Sequence, residues 1–487
     1  MNTIKKHIAF LLLGLIYIIF QTQNAMIDSW YYSACVKFKT ELFNSHHLIY
    51  NYFGYYWFIL LQKINPKIEA ITALNLLNAI AAIACLYLIY ECLIKLKTNA
   101  TNALWLSLFC GVSFGFMRYA TDAETYILPI AFSLGSTLLF IKNEQKNHLF
   151  YAGLLAAIAL LFHQVHLWWT IAMFISLLYS KPFKIKKIVS FTTPLLFVAI
   201  IYWIVYKNGH FSFTFFEFVV GEYGKGNAGF DLSWKAFLLT IINVFRTFIQ
   251  LHGNIMALFQ LYPLVEFTSI SLALAILIRG FIKQDFKYFF QSKQNLNKSF
   301  FLMAMILQIT FAFISSGNAE FMVMLPFLLI LSLVSAFQLS DIPFVKHLTV
   351  SILIWNLSVA IIPNAILKLN MVEKQTQISI QQEKSYSLWK NKPLVENRMN
   401  YIKGFDYETK YLLHLKSISS RTLDSLLENS NTIYTDLPNS DSQYSRANLL
   451  SNHKEIELLA NFRLIKYDSF DNIYGKNYIY SIRKRAD

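Results

Sequence analysis

The sequence predicts an α-helical polytopic membrane protein of about eleven spans, with a small C-terminal α/β domain outside the membrane. Three observations predict it. The 487-residue chain is 55% hydrophobic and only 15% charged, whereas a soluble domain carries about a quarter charged residues. Apolar runs of roughly 18 or more residues recur through the first three-quarters of the chain, the length that crosses a bilayer as a helix. From Lys368 onward the composition turns polar and nearly charge-balanced. The expected domains are therefore 1–367 in the membrane and 368–487 outside it. A formal charge of +15 would suggest nucleic acid in a soluble protein. Here many basic residues fall in short loops between spans, so topology accounts for the charge and no nucleic-acid partner is expected. Cys35, Cys85, Cys92 and Cys110 show no metal-type spacing, and no disulfide framework is implied.

The spans are expected near 5–21, 69–94, 101–117, 125–141, 149–163, 167–180, 188–206, 262–280, 299–315, 321–338 and 347–367. Lys5 and Lys6 precede the first, which resembles a signal peptide but lacks a good cleavage site and is read as a retained helix. Loops assigned by parity fall into two sets. One set carries Lys5, Lys6, Lys95, Lys97, Lys142, Lys184, Lys187 and Lys287, and is cytoplasmic by the positive-inside rule. The other holds Asp28, Glu41, His46, His47, Asp122, Glu124, His163, His166 and Glu320. The N-terminus is then cytoplasmic and the C-terminal domain extracytoplasmic. The Tyr-rich segment HHLIYNYFGYYWFILLQKI suits a helix lying at the outer interface, because counting it as a span would invert every later loop. Asn75 and Asn78, at i and i+3, share a face directed into the bundle.

Residues 207–261 form a long outer connection. Its GEYGKGNAGF contains Gly224, Gly226 and Gly229, a G-x-G-x-x-G pattern outside any strand-to-helix context, so it is a loop and no nucleotide site. KAFLLTIINVFRTFIQLHG places Arg246 inside an apolar pattern and reads as an interfacial or partly re-entrant helix. In the tail, YETKYLLHLKSISSRTLDSLLENS has helical periodicity and NTIYTDL reads as a strand. FRLIKYDSFDNIYGKNYIYSIRK reads as strand, turn, strand.

The candidate chemistry lies in the outer loops. Asp28, in IDSWYY, sits among aromatics that would raise its pKa and suit it to general-base work; a capping or solvated aspartate is the plainer reading. RYATDAETY places Asp122 and Glu124 in one short turn, with Arg118 four residues before Asp122 and able to pair with it. His46 and His47 are adjacent and point about 100° apart on a helix, so they do not easily share a metal. His163 and His166, at i and i+3, could. Hydrogen bonding to phosphate oxygens is the preferred use of all four. Glu320 opens a late span from outside and is expected to close the same cavity. Asp28, Asp122 and Glu124 are thus the catalytic candidates. Glu41, His46, His47, Arg118, His163, His166 and Glu320 are the substrate- or phosphate-binding ones, and no metal ligand is assigned.

On these residues the chain resembles the GT-C superfamily of membrane glycosyltransferases, which includes protein O-mannosyltransferases, aminoarabinose transferases and oligosaccharyltransferases. IDSWYY matches the acidic position soon after the first helix, and FNSHHLIYNYFGYYW resembles the His-containing interfacial helix. RYATDAETYILP resembles the second acidic loop and AEFMVMLPFLLIL the late core span, so the resemblance covers roughly residues 1–367. It implies transfer of a sugar from a polyprenyl-phosphate donor, with inversion, to a glycan, lipid or protein acceptor at the outer face of a bacterial inner membrane. It names no certain cofactor and leaves a divalent cation open, since only single acids stand where relatives carry a longer acidic motif. The competing classes are a transporter or flippase, a lipid-linked polysaccharide polymerase and a non-catalytic assembly subunit. A transporter would show repeat symmetry and charges at mid-bilayer; here no clear repeat is visible and the charges gather at one face.

Overall fold

The computed structural model describes residues 3–485, apart from 143–146, 180–183, 210, 222–228, 252–254, 285–289, 293–299, 340–342, 368–369, 383–384, 406–410, 416, 430–431, 438–457 and 473–474. The glycine-rich loop lies mostly outside the described residues. The helices begin with α1 (Thr3–Ile19), α2 (Ile27–Phe38), α3 (Tyr50–Ile64), α4 (Ala70–Lys95), α5 (Ala100–Val112), α6 (Phe114–Ala120) and α7 (Ile127–Lys142). Next come α8 (His148–Phe162), α9 (Leu167–Leu178), α10 (Ile185–Asn208), α11 (Phe215–Val220), α12 (Trp234–Phe248), α13 (Ile255–Leu261) and α14 (Pro263–Lys283). Then follow α15 (Phe300–Ile314), α16 (Leu325–Ala336), α17 (Pro343–Asn356) and α18 (Ile362–Ile366). The polar tail adds α19 (Asn370–Gln381), α20 (Lys392–Lys403) and α21 (Ser420–Glu428).

Each apolar segment expected to span is largely helical among the described residues, although 321–338 ends in a strand. On length and apolarity alone, α4, α10, α14 and the helix that starts at Pro343 can cross a membrane, and α5 with α6 makes a fifth if that pair, bent by 67°, is one span. The helices α7, α8 and α15, with those ending at Leu178 and Ala336, are apolar but shorter, against a hydrocarbon core of about 30 Å. So length and composition of the described residues supply four or five spans, and the expected count of about eleven rests on the shorter helices as well.

The chain folds as two compact units, Met1–Gln21 with Glu41–Pro363, and Thr22–Thr40 with Asn364–Asp487. In the first unit the bend between α5 and α6 is set by Ser113, whose ψ of 134° leaves the helical region. The carbonyls this break releases are taken up locally. Ser113 Oγ donates to Phe109 O at 2.8 Å, and the buried Asn356 Nδ2 donates to Val112 O at 2.9 Å. Asn356 also donates to Phe248 O at 3.0 Å and accepts from Gln250 N at 3.0 Å, so one amide ties together the bend, the end of α12 and the end of α17. Beyond Asn356 the helix widens into a π-helical turn, Leu357–Ile361. Short strands β1 (Phe290–Ser292) and β2 (Phe337–Leu339) pair antiparallel.

The second unit holds a four-stranded sheet of β3 (Tyr386–Leu388), β4 (Ile433–Thr435), β5 (Phe462–Asn472) and β6 (Gly475–Lys484), in the order β3-β4-β6-β5. β3 and β4 run parallel and the other pairs antiparallel. The predicted strand is β4 and the predicted hairpin is β5–β6. Of the helix predicted over 407–430, residues 407–410, 416 and 430 lie outside the described residues, and the rest is helical only over Ser420–Glu428. Leu412 is extended and bridges Ser387, and the helix begins only after Ser419, whose side chain accepts from Thr422 N as an N-cap. Trp389, Val395, Met399, Tyr434 and Ile479 form the core. Residues 22–40, placed with the membrane segment on sequence grounds, fold into this unit because α2 packs along α20.

One glycine is needed for a close helix approach. A Cβ at Gly153 would collide with the backbone carbonyl of Phe191 where α8 meets α10, the use small residues serve between membrane helices. Gly153→Ala is expected to separate these helices and destabilise the bundle by about 1–3 kcal/mol. Thermal unfolding in detergent measures this as a lowered Tm; an unchanged Tm would mean the approach is not tight.

Candidate functional site

The first unit gathers polar side chains around the turn that follows α6. Thr121 ends that helix, donating its hydroxyl to Met117 O and Arg118 O, both at 3.1 Å. The chain then makes the tight turn Asp122-Ala123-Glu124, with Glu124 N donating to Asp122 O at 3.0 Å. Asn78, on α4, holds this turn. Its Nδ2 donates to Asp122 O at 2.7 Å and to Glu124 O at 2.6 Å. Asp122 is fully buried, and its Oδ2 lies 2.9 Å from Arg118 Nη2, the i,i+4 pair the sequence suggested. Its Oδ1 accepts from Ala123 N at 2.9 Å. Asp122 is therefore engaged by its own loop. Glu124, only 2% exposed, comes from the same turn, with Tyr50 of α3 within its electrostatic reach.

A second group of rings adjoins it. Tyr119 packs tilted against Tyr126 with centroids 4.8 Å apart, and Tyr126 packs against His163 at 4.9 Å. Tyr126 donates its hydroxyl to Glu320 Oε2 at 3.0 Å. Glu320 is positioned from its own side by Asn318, whose Oδ1 accepts from Glu320 N at 3.0 Å. Tyr119 feels four charges at once, those of Glu320, Glu124, Arg118 and Arg246. Arg246, on α12, is fixed by Gln250 Oε1 at 3.3 Å and lies 5.7 Å from the centre of the Phe114 ring. Three carboxylates and two guanidiniums thus share one region among apolar helices, a costly arrangement without mutual compensation or function.

The histidines divide. His47 lies edge-on to His163 at 4.3 Å, and His46 is 6.2 Å from His47. Their loop docks on the turn between α8 and α9 through Gln164 N to His46 O at 3.1 Å and Ile49 N to Leu161 O at 3.2 Å. Burial lowers the His46 pKa to about 4, and burial followed by the charge on His46 pushes His47 down as well. Both are neutral near pH 7, so they act on an anion as N–H dipoles and not as the protonated imidazoles the sequence pattern suggests. His163 Nδ1 accepts from Val165 N at 3.2 Å, which leaves the proton on Nε2. That Nε2 is buried and has no acceptor among the described residues. His166 turns away, its Nδ1 meeting Ser133 Oγ at 2.7 Å.

The structure therefore brings together Arg118, Asp122, Glu124, His47, His163 and Glu320, with His46 beside His47. Glu41 is exposed, with a φ of +44° and its carbonyl held by Asn51 Nδ2 at 3.1 Å. Asp28 belongs to the second unit, in the first turn of α2; it keeps solvent exposure, while the atoms packed around it raise its pKa. Arg246, Tyr119 and Tyr126 are site residues the sequence did not single out. The available signal was the lone arginine inside the apolar pattern of α12. Among the described residues no three His, Cys, Asp or Glu side chains gather as a metal set. With Asp122 already engaged by Arg118 and Ala123, these residues do not fit a divalent cation.

No protein-family model and no curated protein matches the sequence. Solved structures do. ArnT from Cupriavidus metallidurans bound to undecaprenyl phosphate aligns over 99% of this chain and 98% of its own, with 9% identity and a TM-score of 0.52. The Archaeoglobus fulgidus oligosaccharyltransferase in the apo form aligns over 98% of this chain and 74% of its own, at 10% identity and a TM-score of 0.46. At these identities the likeness concerns the fold.

The Arg118–Asp122 pair gives a direct test of the loop. Arg118→Gln leaves a buried carboxylate without its cation and is expected to cost about 3–5 kcal/mol. Arg118→Gln combined with Asp122→Asn, which removes the charge, is expected to recover most of that loss. Thermal unfolding of the two variants in detergent decides it; equal loss in both would mean the pair does not hold the turn.

Proposed function

We propose that the chain is a GT-C-type glycosyltransferase that moves a sugar from a polyprenyl-phosphate donor to an acceptor hydroxyl at the outer face of the membrane. One observation carries the reading: a single short segment serves both a buried polar cluster and an apolar groove. His163 faces Tyr126 and His47, while Gln164, Val165, Leu167 and Trp168 line a cavity of about 610 Å³ closed by residues of α10, α11 and α15. Its walls include Leu160, Phe174, Ala199 and Phe311, and are nearly all apolar. A lipid phosphate has this same division, a long hydrocarbon tail joined to a small anion. The undecaprenyl phosphate held by ArnT supports the donor class.

In this reading the tail occupies the groove and the phosphate meets Arg246 and the His163 Nε2–H. Arg246 is the apt cation because Arg118 is committed to Asp122 and the buried histidines are neutral. The acceptor oxygen attacks C1 of the sugar, the C1–O bond to phosphate breaks, and the phosphate leaves with the bonding electrons. The acceptor proton passes to a carboxylate, with Asp28 as the proposed base because packing has raised its pKa toward the range that base catalysis favours. Glu124 and Glu320 bind and orient the acceptor, and inversion at C1 follows from a single displacement. The acceptor class is a glycan, lipid or protein, the membrane a bacterial inner membrane, and the N-terminus cytoplasmic.

The test uses purified protein and a defined polyprenyl-phosphate sugar. Asp28→Asn is expected to lower turnover by about a hundredfold or more with donor binding retained. Arg246→Gln is expected to weaken donor binding by about tenfold or more, the loss of a desolvated charge partner. Full turnover in the first would exclude Asp28 as the base, and unchanged donor affinity in the second would place the phosphate elsewhere.

A further inference from the structure

Residues 22–40 leave the first helix and lead to the third, yet they fold with residues 364–487. The hydrogen bonds show how. Gln23 N donates to Asn364 O at 2.9 Å, and Asn24 Nδ2 donates to Asn364 O at 3.3 Å and Leu367 O at 2.8 Å. The helix α2 is then gripped at both ends by α20. Asn397 Nδ2 donates to Ile27 O at 3.1 Å at its start, and Lys37 Nζ donates to Tyr401 O at 3.0 Å at its finish. Between these anchors Trp30 lies 5.1 Å from the Tyr401 ring, with the Arg398 guanidinium 5.4 Å over the Trp30 ring. Tyr31 meets Phe405 edge-on at 6.2 Å. Asn397 and Tyr401 are i,i+4 and share one face of α20.

This grip bears on Asp28 directly. α2 has 12 residues and no side-chain cap at its N-terminus, and isolated helices shorter than about 12–15 residues are marginal in water. Its helical form, and so the direction of the Asp28 carboxylate, depends on what it packs against. Ile27, whose carbonyl Asn397 holds, is the residue before Asp28, and Trp30 is two residues after it. We propose that α20 is a positioning element for sugar transfer: Asn397, Arg398 and Tyr401 hold α2 so that Asp28 presents its carboxylate in one direction. This rests on the reading of Asp28 as the base. It gives α20 a role in turnover that acts through Asp28.

The test measures kcat and both KM values for full-length protein in lipid nanodiscs, with a defined polyprenyl-phosphate sugar and an acceptor. Tyr401→Ala and the milder Asn397→Ala are each expected to lower kcat by about tenfold, since a small misplacement of a reacting group costs up to about a hundredfold. Donor and acceptor KM should stay within about twofold. Tyr401→Phe keeps the ring and the backbone acceptor and should restore wild-type kcat. Lys484→Met, which breaks an exposed pair with Glu428 at 2.7 Å in the same unit, should leave kcat unchanged. Added to Asp28→Asn, Tyr401→Ala should cause no further loss, because both act through one group. Unchanged kcat in Tyr401→Ala and Asn397→Ala would overturn the proposal, as would a raised acceptor KM, or a loss that multiplies that of Asp28→Asn. Full turnover in Asp28→Asn alone would instead remove the base on which it rests.

Discussion

The site in the first unit depends on one side-chain amide. Asn78 donates both of its Nδ2 hydrogens to the carbonyls of Asp122 and Glu124, two residues apart on a three-residue turn. A buried backbone carbonyl without a partner costs about 1–3 kcal/mol, and here α4 removes that cost twice while fixing the turn against the bundle. Once the turn is fixed, Asp122 can reach back to Arg118 in the last turn of α6, and Glu124 is left facing Tyr50 and Tyr119. Asn78 is fully buried on the largely apolar α4, and its side chain also hydrogen-bonds Tyr50 of α3.

The same economy recurs at Asn356, which satisfies the carbonyl freed where α5 breaks into α6 and holds the backbone at the end of α12. The break lets α6 carry Arg118 and Tyr119 at an angle to α5, and α12 brings Arg246. Two buried asparagines thus help place the charges of α6, of α12 and of the Asp122–Glu124 turn around Tyr119. The compensation within this group explains how so many ionisable residues persist in an apolar bundle: Arg118 balances Asp122, while Arg246 sits among Glu320, Tyr119 and a neutral amide. In the histidine loop burial acts the other way, keeping His46 and His47 uncharged, so that they meet an anion as N–H dipoles.

How much of this the sequence revealed follows from the range of each interaction. The apolar helices were legible because each is a long run of apolar residues, and the β5–β6 hairpin because its alternation flanks a turn. The pair Arg118–Asp122 was legible as an i,i+4 spacing. Helices α19 and α20 were not, since their apolar residues are sparse and their partners lie in a sheet formed much later in the chain. Nor was the site role of Arg246, which is created by the approach of α12 to α6. The least legible feature was the membership of α2. Its bonds join residues 23–37 to residues 364–401, and no local pattern in either stretch announces the other.

In the proposed function, residues 163–168 divide one ligand between a polar cluster and an apolar groove. The most direct measurement is an experimental structure of the protein in lipid nanodiscs with a polyprenyl phosphate added. Phosphate density is expected within hydrogen-bonding distance of Arg246 and the His163 Nε2, with the chain running past Trp168 and Phe311. A phosphate bound elsewhere with the groove filled by ordinary membrane lipid, or a tail in the groove with its phosphate directed away from both residues, would contradict it.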